Sequence, residues 1–335
     1  MCWNWSRTGW LARVLAAALV CVLACACSQG GRPATAAGRP VSPSPAAVES
    51  PSPSVPPTPA AVPQQTEPAL PLPRQEVASA AAGPALYVIG GFDAGRRDTS
   101  SVFVYTGTWN RGPDFPVAVD HASAATLGGT LYVAGGYSTG RAQGLLFRLE
   151  EGGWTALSRM RHPRGALALV AAGDRLFALG GLAGGVEVAA VEAYDPATDA
   201  WSDVTILPQP RDHGAGFAFA GMACLAGGRF PTTARVDCYD PGRGAWSRLP
   251  DLPAPTSGAG ATVIDSRVIV AGGENAAEST LVDRVFWLQA GRWTEERMLI
   301  PRHGVQLAFF GGRAWACGGA TAAGYRAATD CTSMA

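Results

Sequence analysis

Six times in this chain a pair of adjacent glycines closes an apolar run: Gly90-Gly91, Gly135-Gly136, Gly180-Gly181, Gly227-Gly228, Gly272-Gly273 and Gly318-Gly319. From first glycine to first glycine the steps are 45, 45, 47, 45 and 46 residues. A step that regular marks a radial repeat, in which each unit is one small sheet that must bury its faces against its neighbours.

Aligning the units on their glycines gives one pattern. An apolar strand precedes each pair, as in Leu86-Tyr87-Val88-Ile89 and Val268-Ile269-Val270-Ala271. Eighteen to twenty residues beyond the second glycine stands a tryptophan, at Trp109, Trp154, Trp201, Trp246 and Trp293. Before it runs an alternating strand with an aromatic, as in Val191-Glu192-Ala193-Tyr194, followed by an Asp-Pro turn signal. Each unit therefore supplies four short strands, named A to D from the axis outwards. A follows a Pro-Arg segment, B ends in the glycines, C ends at the aromatic, and D starts at the tryptophan. The glycines suit crowded backbone and positive φ, and the aromatics suit the wedge between units.

Double glycine, then tyrosine, then tryptophan at this spacing resembles the kelch repeat family. The resemblance implies an all-β fold, a six-bladed kelch-type β-propeller with four antiparallel strands per blade, over residues 64–335. Blade six runs out of chain before its strand D. The segment Gln64 to Leu70 stands at the right offset to supply it, so the ring is expected to close by pairing residues 64–70 with 327–333. No tryptophan stands at 64 to mark that strand.

Four of the eight cysteines lie beyond the N-terminal region. Cys224 with Cys238, and Cys317 with Cys331, are each separated by 14 residues. Each pair places one member on strand B and one on strand C of a single blade. Two disulfides or two pairs of buried thiols fit this placement. The registers differ, since Cys224 stands three residues before its glycine pair and Cys317 one before.

At the N-terminus, Arg7 and Arg13 precede an apolar stretch from Val14 to Cys27, too short for a comfortable membrane span. Val22-Leu23-Ala24-Cys25 resembles a bacterial lipobox, so residues 1–27 are expected to be a lipoprotein-type signal with Cys25, or else Cys27, lipidated. A simply cleaved signal or an uncleaved anchor remains open. Residues 28–63, rich in Pro, Ser and Ala, are expected to form a disordered stalk. The protein is thereby expected to be exported, lipid-anchored at a membrane, and monomeric. Formal charge is balanced, with 26 basic and 26 acidic residues, and no aromatic-basic stripe is present, which argues against nucleic acid.

Sixteen residues before the first glycine, four units carry arginine after proline: Arg74, Arg164, Arg211 and Arg302. The connection from D to the next A lies at the propeller mouth, as do the B to C connections that carry Arg229 and Glu274. In kelch adaptors that capture acidic peptide motifs, arginines at the Pro-Arg position contact the ligand. These arginines are expected either to clamp an anion there or to bond backbone carbonyls of the neighbouring blade. His121, His162, His213 and His303 fall in or near the same connections, and His121 and His213 each stand 14 residues before a glycine pair. The expected function is a binding or scaffold module whose mouth accepts a protein segment or an anionic glycan through Arg74, Arg164, Arg211, Arg302, Arg229, His213, His303 and Glu274. No cofactor, metal cluster or catalytic set is expected. The enzymatic alternative is a sugar mutarotase resembling bacterial N-acetylneuraminate epimerases, with Glu274 and His303 the first residues to suspect.

Overall fold

The computed structural model describes residues 63–335, and every regular element in them is a strand. The expected lipidation at Cys25 or Cys27 and almost all of the expected stalk lie outside the described residues. Six antiparallel sheets form the blades, each with four strands A to D, and blade 2 carries a short fifth strand, Arg141–Ala142, beside its strand B. Strands A to D are Ala78–Ala82, Ala85–Ile89, Val102–Tyr105 and Trp109–Arg111 in blade 1. Blade 2 has Asp120–Leu127, Thr130–Ser138, Leu146–Glu150 and Gly153–Ala156. Blade 3 has Ala168–Ala172, Arg175–Leu179, Ala190–Asp195 and Ala200–Ile206. Blade 4 has Ala215–Phe219, Met222–Ala226, Val236–Asp240 and Ala245–Leu249. Blade 5 has Gly260–Ile264, Arg267–Ala271, Arg284–Gln289 and Arg292–Arg297.

Blade 6 is built from both ends of the domain. Ala308–Phe310, Arg313–Cys317 and Cys331–Met334 supply A to C, and Gln64–Glu67 supplies D. Its register runs from Gln64 opposite Met334 to Glu67 opposite Cys331, and Leu70 N–H donates to Thr329 O at 2.8 Å. The last strand is shorter than expected. Ala327 and Ala328 instead make isolated bridges to Ala320 and Arg74 at the joint with blade 1.

The glycine pairs are the joints between blades. Gly91 N–H donates to Val119 O, Gly136 to Arg164 O, Gly181 to Arg211 O, Gly228 to Thr256 O and Gly273 to Arg302 O, each acceptor belonging to the entry of the next blade. At Gly135, φ is 66°, and a Cβ would stand 2.6 Å from Arg164 O. Positive φ and a carbonyl at that distance leave no room for any other residue. The tryptophans lock the same joints further out. Trp109, Trp154, Trp201 and Trp293 donate their indole N–H to Pro68 O, Pro113 O, Ser158 O and Pro250 O of the preceding blade, at 2.7–3.0 Å.

The core is six separate apolar clusters, one at each junction between neighbouring blades. Cys224–Cys238 and Cys317–Cys331 are disulfides, joining directly paired residues of strands B and C, at the junctions of blades 4 with 5 and 6 with 1.

Candidate functional site

The residues fourteen before each glycine pair are Glu76, His121, Ala166, His213, Gly258 and Gly304, and all six have positive φ, between 50° and 68°. That turn aims each backbone N–H along the ring. His121 donates to Glu76 O, Ala166 to His121 O, His213 to Ala166 O, Gly258 to His213 O, Gly304 to Gly258 O, and Glu76 closes the circle on Gly304 O, all at 2.8–3.0 Å. Six blades thus share one cyclic set of backbone hydrogen bonds around the axis. Left-handed backbone costs a residue with a Cβ about 1–2 kcal/mol, yet Glu76, His121 and His213 occupy it where glycine serves at two other positions.

This circle floors a cavity of about 240 Å³ on the mouth side. Glu76, His121 and His213 rise from the floor. Gln75, Ser257 and His303 come from the neighbouring column, and Phe92, Arg229, Glu274, Glu278, Gly324 and Tyr325 from the B to C loops. Below the floor, the Gln306 amide bridges strands A of blades 1 and 2, accepting from Ser79 and Ala124 N–H and donating to Ala124 O. At the far end a second opening of about 340 Å³ is lined mostly by alanine, leucine and phenylalanine.

Charge in the mouth cavity is organised around two Asp-His pairs. His121 Nδ1 is held by Asp120 and His213 Nδ1 by Asp212. His121 Nε2 lies 3.3 Å from Glu76 Oε2. Burial opposes charge on His121, but the carboxylates of Glu76 and Asp120 outweigh it and raise the imidazole above its ordinary value. His213 goes the other way. Burial lowers it, with Arg229 and His121 reinforcing and Asp212 opposing, and Arg229 Nη2 donates to His213 Nε2 at 3.0 Å, the geometry of a neutral ring. The two rings stand edge to face with centroids 5.0 Å apart. Burial pushes Asp120 up to about 6, opposed by His121 and helped by nearby Asp98. Arg229 pairs with Asp212 at 2.9 Å and Glu278 at 2.7 Å. His303 lies 3.4 Å from Glu274 and 3.6 Å from Glu76.

Four expected ligand contacts are corrected by this geometry. Arg164, Arg211 and Arg302 are fully buried and Arg74 nearly so. Arg164 donates to His162 O, Gly180 O and Ala190 O and pairs with buried Glu192. Arg211 donates to Gln209 O, Leu225 O and Gly227 O and pairs with Asp237 at 2.9 Å. Arg302 reaches Gly318 O and Asp330 O, and burial lowers its guanidinium to about 10. Arg74 bonds Ser101 Oγ and Pro73 O. Their side chains turn into the blade, where the ends of strands B and C leave carbonyls without ladder partners. Where threonine replaces arginine, Thr256 Oγ1 makes the same bond to Gly272 O. Arg229, His213, His303 and Glu274 do line the cavity, whereas His162 sits on the flank, 3.1 Å from Asp203.

Comparison with known proteins agrees with this architecture. The family model described as Kelch motif matches residues 73–116 and 163–208, which are blades 1 and 3 with their entry segments. The chain carries the kelch motif in two of its blades and has the propeller fold. It is 37% identical to human Kelch-like protein 34 over 78 residues, 23% of this chain and 12% of that protein. It is also 37% identical to human Kelch repeat and BTB domain-containing protein 13 over 67 residues, 20% of this chain and 15% of that protein. The chain therefore spans less than a sixth of either relative's length. The solved structure titled "Structure of YjhT" shares the fold with TM-score 0.69 at 18% identity, covering 79% of this chain and 95% of that one.

Kelch propellers are in general binding and scaffold modules. In this propeller the cavity holds residues that reading the chain by local motifs passes over. Glu76, Asp120 and Asp212 carry no motif of their own. Their signal is the column position, since Glu76 occupies the same place as His121 and His213.

Proposed function

We propose that the protein is an exported, membrane-tethered binding propeller whose ligand is a small polyhydroxylated molecule, a monosaccharide or the end of a glycan, held in the axial mouth cavity. The observation that carries this reading is a cavity of about 240 Å³ in which Phe92 and Tyr325 stand beside carboxylates, imidazoles and one guanidinium. Sugar hydroxyls both donate and accept, and such a lining offers both in a space the size of one ring. Among the described residues Arg229 is the one arginine lining the cavity and is already shared by Asp212 and Glu278, so an anionic glycan meets little free positive charge there. The lipobox-like Val22-Leu23-Ala24-Cys25 supports the tether, and two disulfides support an oxidising compartment.

Mutarotase activity is the second reading, and the histidine pair favours it. Opening a cyclic hemiacetal needs a proton delivered to the ring oxygen and one taken from the anomeric hydroxyl. His121, flanked by two carboxylates, and His213, whose Nε2 accepts a hydrogen bond, supply a donor and an acceptor side by side.

Saturation-transfer NMR on the full chain against neutral hexoses, amino sugars, uronic acids and sialic acids tests the binding reading. Sugar binding that disappears in Glu274→Ala supports it; no binding by any class at millimolar concentration refutes it. In the same samples, magnetisation exchange between anomers faster than in buffer marks turnover, and exchange at the buffer rate with binding intact leaves a binding module.

A further inference from the structure

Three blades that are remote in sequence bring one potential ligand atom each from Glu76, His121 and His213 to within 4.8 Å of one another. We propose that these three side chains form a binding site for a divalent transition metal ion of the zinc class, at the floor of the axial cavity. The inference is independent of which organic ligand the cavity takes.

Both imidazoles are already oriented as metal ligands are. Asp120 and Asp212 each engage Nδ1 of the histidine that follows, which leaves Nε2 as the coordinating atom and strengthens it as a donor, although on His213 Arg229 Nη2 now meets it. The side chains of Glu76, His121 and His213 are only 10%, 15% and 10% exposed, so the donors are held by packing. Their backbones are held too, since all three are members of the closed hydrogen-bonded circle. Two imidazole nitrogens and one carboxylate oxygen suit zinc, cobalt or nickel and leave positions open towards the cavity.

A second observation favours a cation at this place. Asp212 is completely buried, and its Oδ2 has no hydrogen-bond partner. A buried carboxylate oxygen without a partner is costly, and more positive charge beside it lowers that cost. Arg229 is the competitor for the site. Its Nη2 sits 3.0 Å from His213 Nε2, while Nη1 is paired with Glu278 at 2.7 Å on the rim, so the guanidinium has a place to withdraw to. Donors around a tetrahedral zinc stand about 3.4 Å apart. Glu76 Oε2 and His121 Nε2 already stand at 3.3 Å, so only the longer separations, which reach at most 4.8 Å, close on binding, by up to about 1.4 Å and within the reach of small χ rotations.

The test uses the full chain without an affinity tag, stripped with chelator and titrated with Co²⁺. Cobalt d–d absorption should saturate at one equivalent, without the intense near-ultraviolet band of a cobalt thiolate, and Zn²⁺ should displace it. Glu76→Gln, His121→Ala and His213→Ala should each abolish the signal. Asp212→Asn should weaken binding roughly 10- to 100-fold as the orienting partner is lost. Arg229→Ala should tighten binding, which an adventitious surface site would not do. If either histidine variant fails to fold by far-ultraviolet circular dichroism, the nearly isosteric Glu76→Gln and the rim variant Arg229→Ala decide. No saturable cobalt signal in the wild type, binding retained in Glu76→Gln, or binding weakened in Arg229→Ala would each overturn the assignment.

Discussion

The side-chain amide of Gln64 donates to the backbone carbonyl of Arg297 at 2.8 Å, and its carbonyl oxygen accepts from Leu299 N–H at the same distance. In the other five blades a tryptophan at the start of strand D bonds the blade before it, four through a backbone carbonyl and Trp246 through Thr205 Oγ1. Gln64 thus performs the tryptophan's hydrogen bonding at the one joint where the ring closes. Deleting Gln64–Glu67 removes strand D of blade 6 and exposes Cys331–Met334 as an open edge. The deletion is expected to lose the single cooperative unfolding transition, whereas Gln64→Ala should cost roughly 1–3 kcal/mol for its two hydrogen bonds. Urea denaturation of both variants checks this; a deletion that melts like the wild type would contradict closure by this strand.

Removing one partner of the buried pair Arg164–Glu192 leaves the other charge uncompensated where neither side chain has any exposure. Glu192→Ala is expected to destabilise by roughly 3–5 kcal/mol. The double change Arg164→Met with Glu192→Leu should recover part of that loss, because matched apolar groups avoid the desolvation cost. Chemical denaturation measures both. Ligand affinity of the folded protein should stay unchanged, which separates this arginine from the cavity lining.

Each disulfide closes a loop of the size that contributes about 3 kcal/mol through the unfolded chain. The double variant Cys224→Ser with Cys238→Ser, and its counterpart at Cys317 and Cys331, should each lower stability by about that amount. Melting with and without reductant reads it: reductant should lower the wild type by more than either double variant.

Acid should loosen the joint of blades 2 and 3. Asp199 accepts from Ser158 N–H at 2.9 Å and from Tyr194 Oη at 2.8 Å, and the Ser158 bond, against a small opposing effect of burial, holds its carboxyl below the ordinary value. A depressed folded pKa means the contribution is complete above the unfolded value near 3.8 and is lost as pH falls through the folded one. Asp199→Asn should therefore melt less steeply with pH than the wild type below about pH 4. Parallel acid slopes in the two proteins would remove Asp199 from the account.

Much of the fold could be read along the chain because a propeller repeats its constraints. The glycine pair recurs because every blade presents a carbonyl to the last, and tryptophan recurs because every blade reaches back to its neighbour. The cysteine pairs were legible for the same reason, since the strand plan already placed Cys224 beside Cys238 and Cys317 beside Cys331. Column reading also held the site's signal, in Glu76, His121 and His213 at one offset, but two of the six equivalent positions are glycine and one alanine, so no motif announces it.

The amino-acid order by itself settles the blade count, the strand order within a blade and which end completes the ring, because these follow from one-dimensional spacing. It does not settle which way a side chain leaves the backbone at the mouth. Arg164, Arg211 and Arg302 stand at a position that could face the axis or the blade, and the choice falls to the unpaired carbonyls of strands B and C, which exist only once the sheets have formed. The convergence of Glu76, His121 and His213 is likewise a product of closure. Residues 45 and 92 positions apart meet because six wedges packed by their own clusters leave a single axis, and the backbone circle around it turns three side chains inward together.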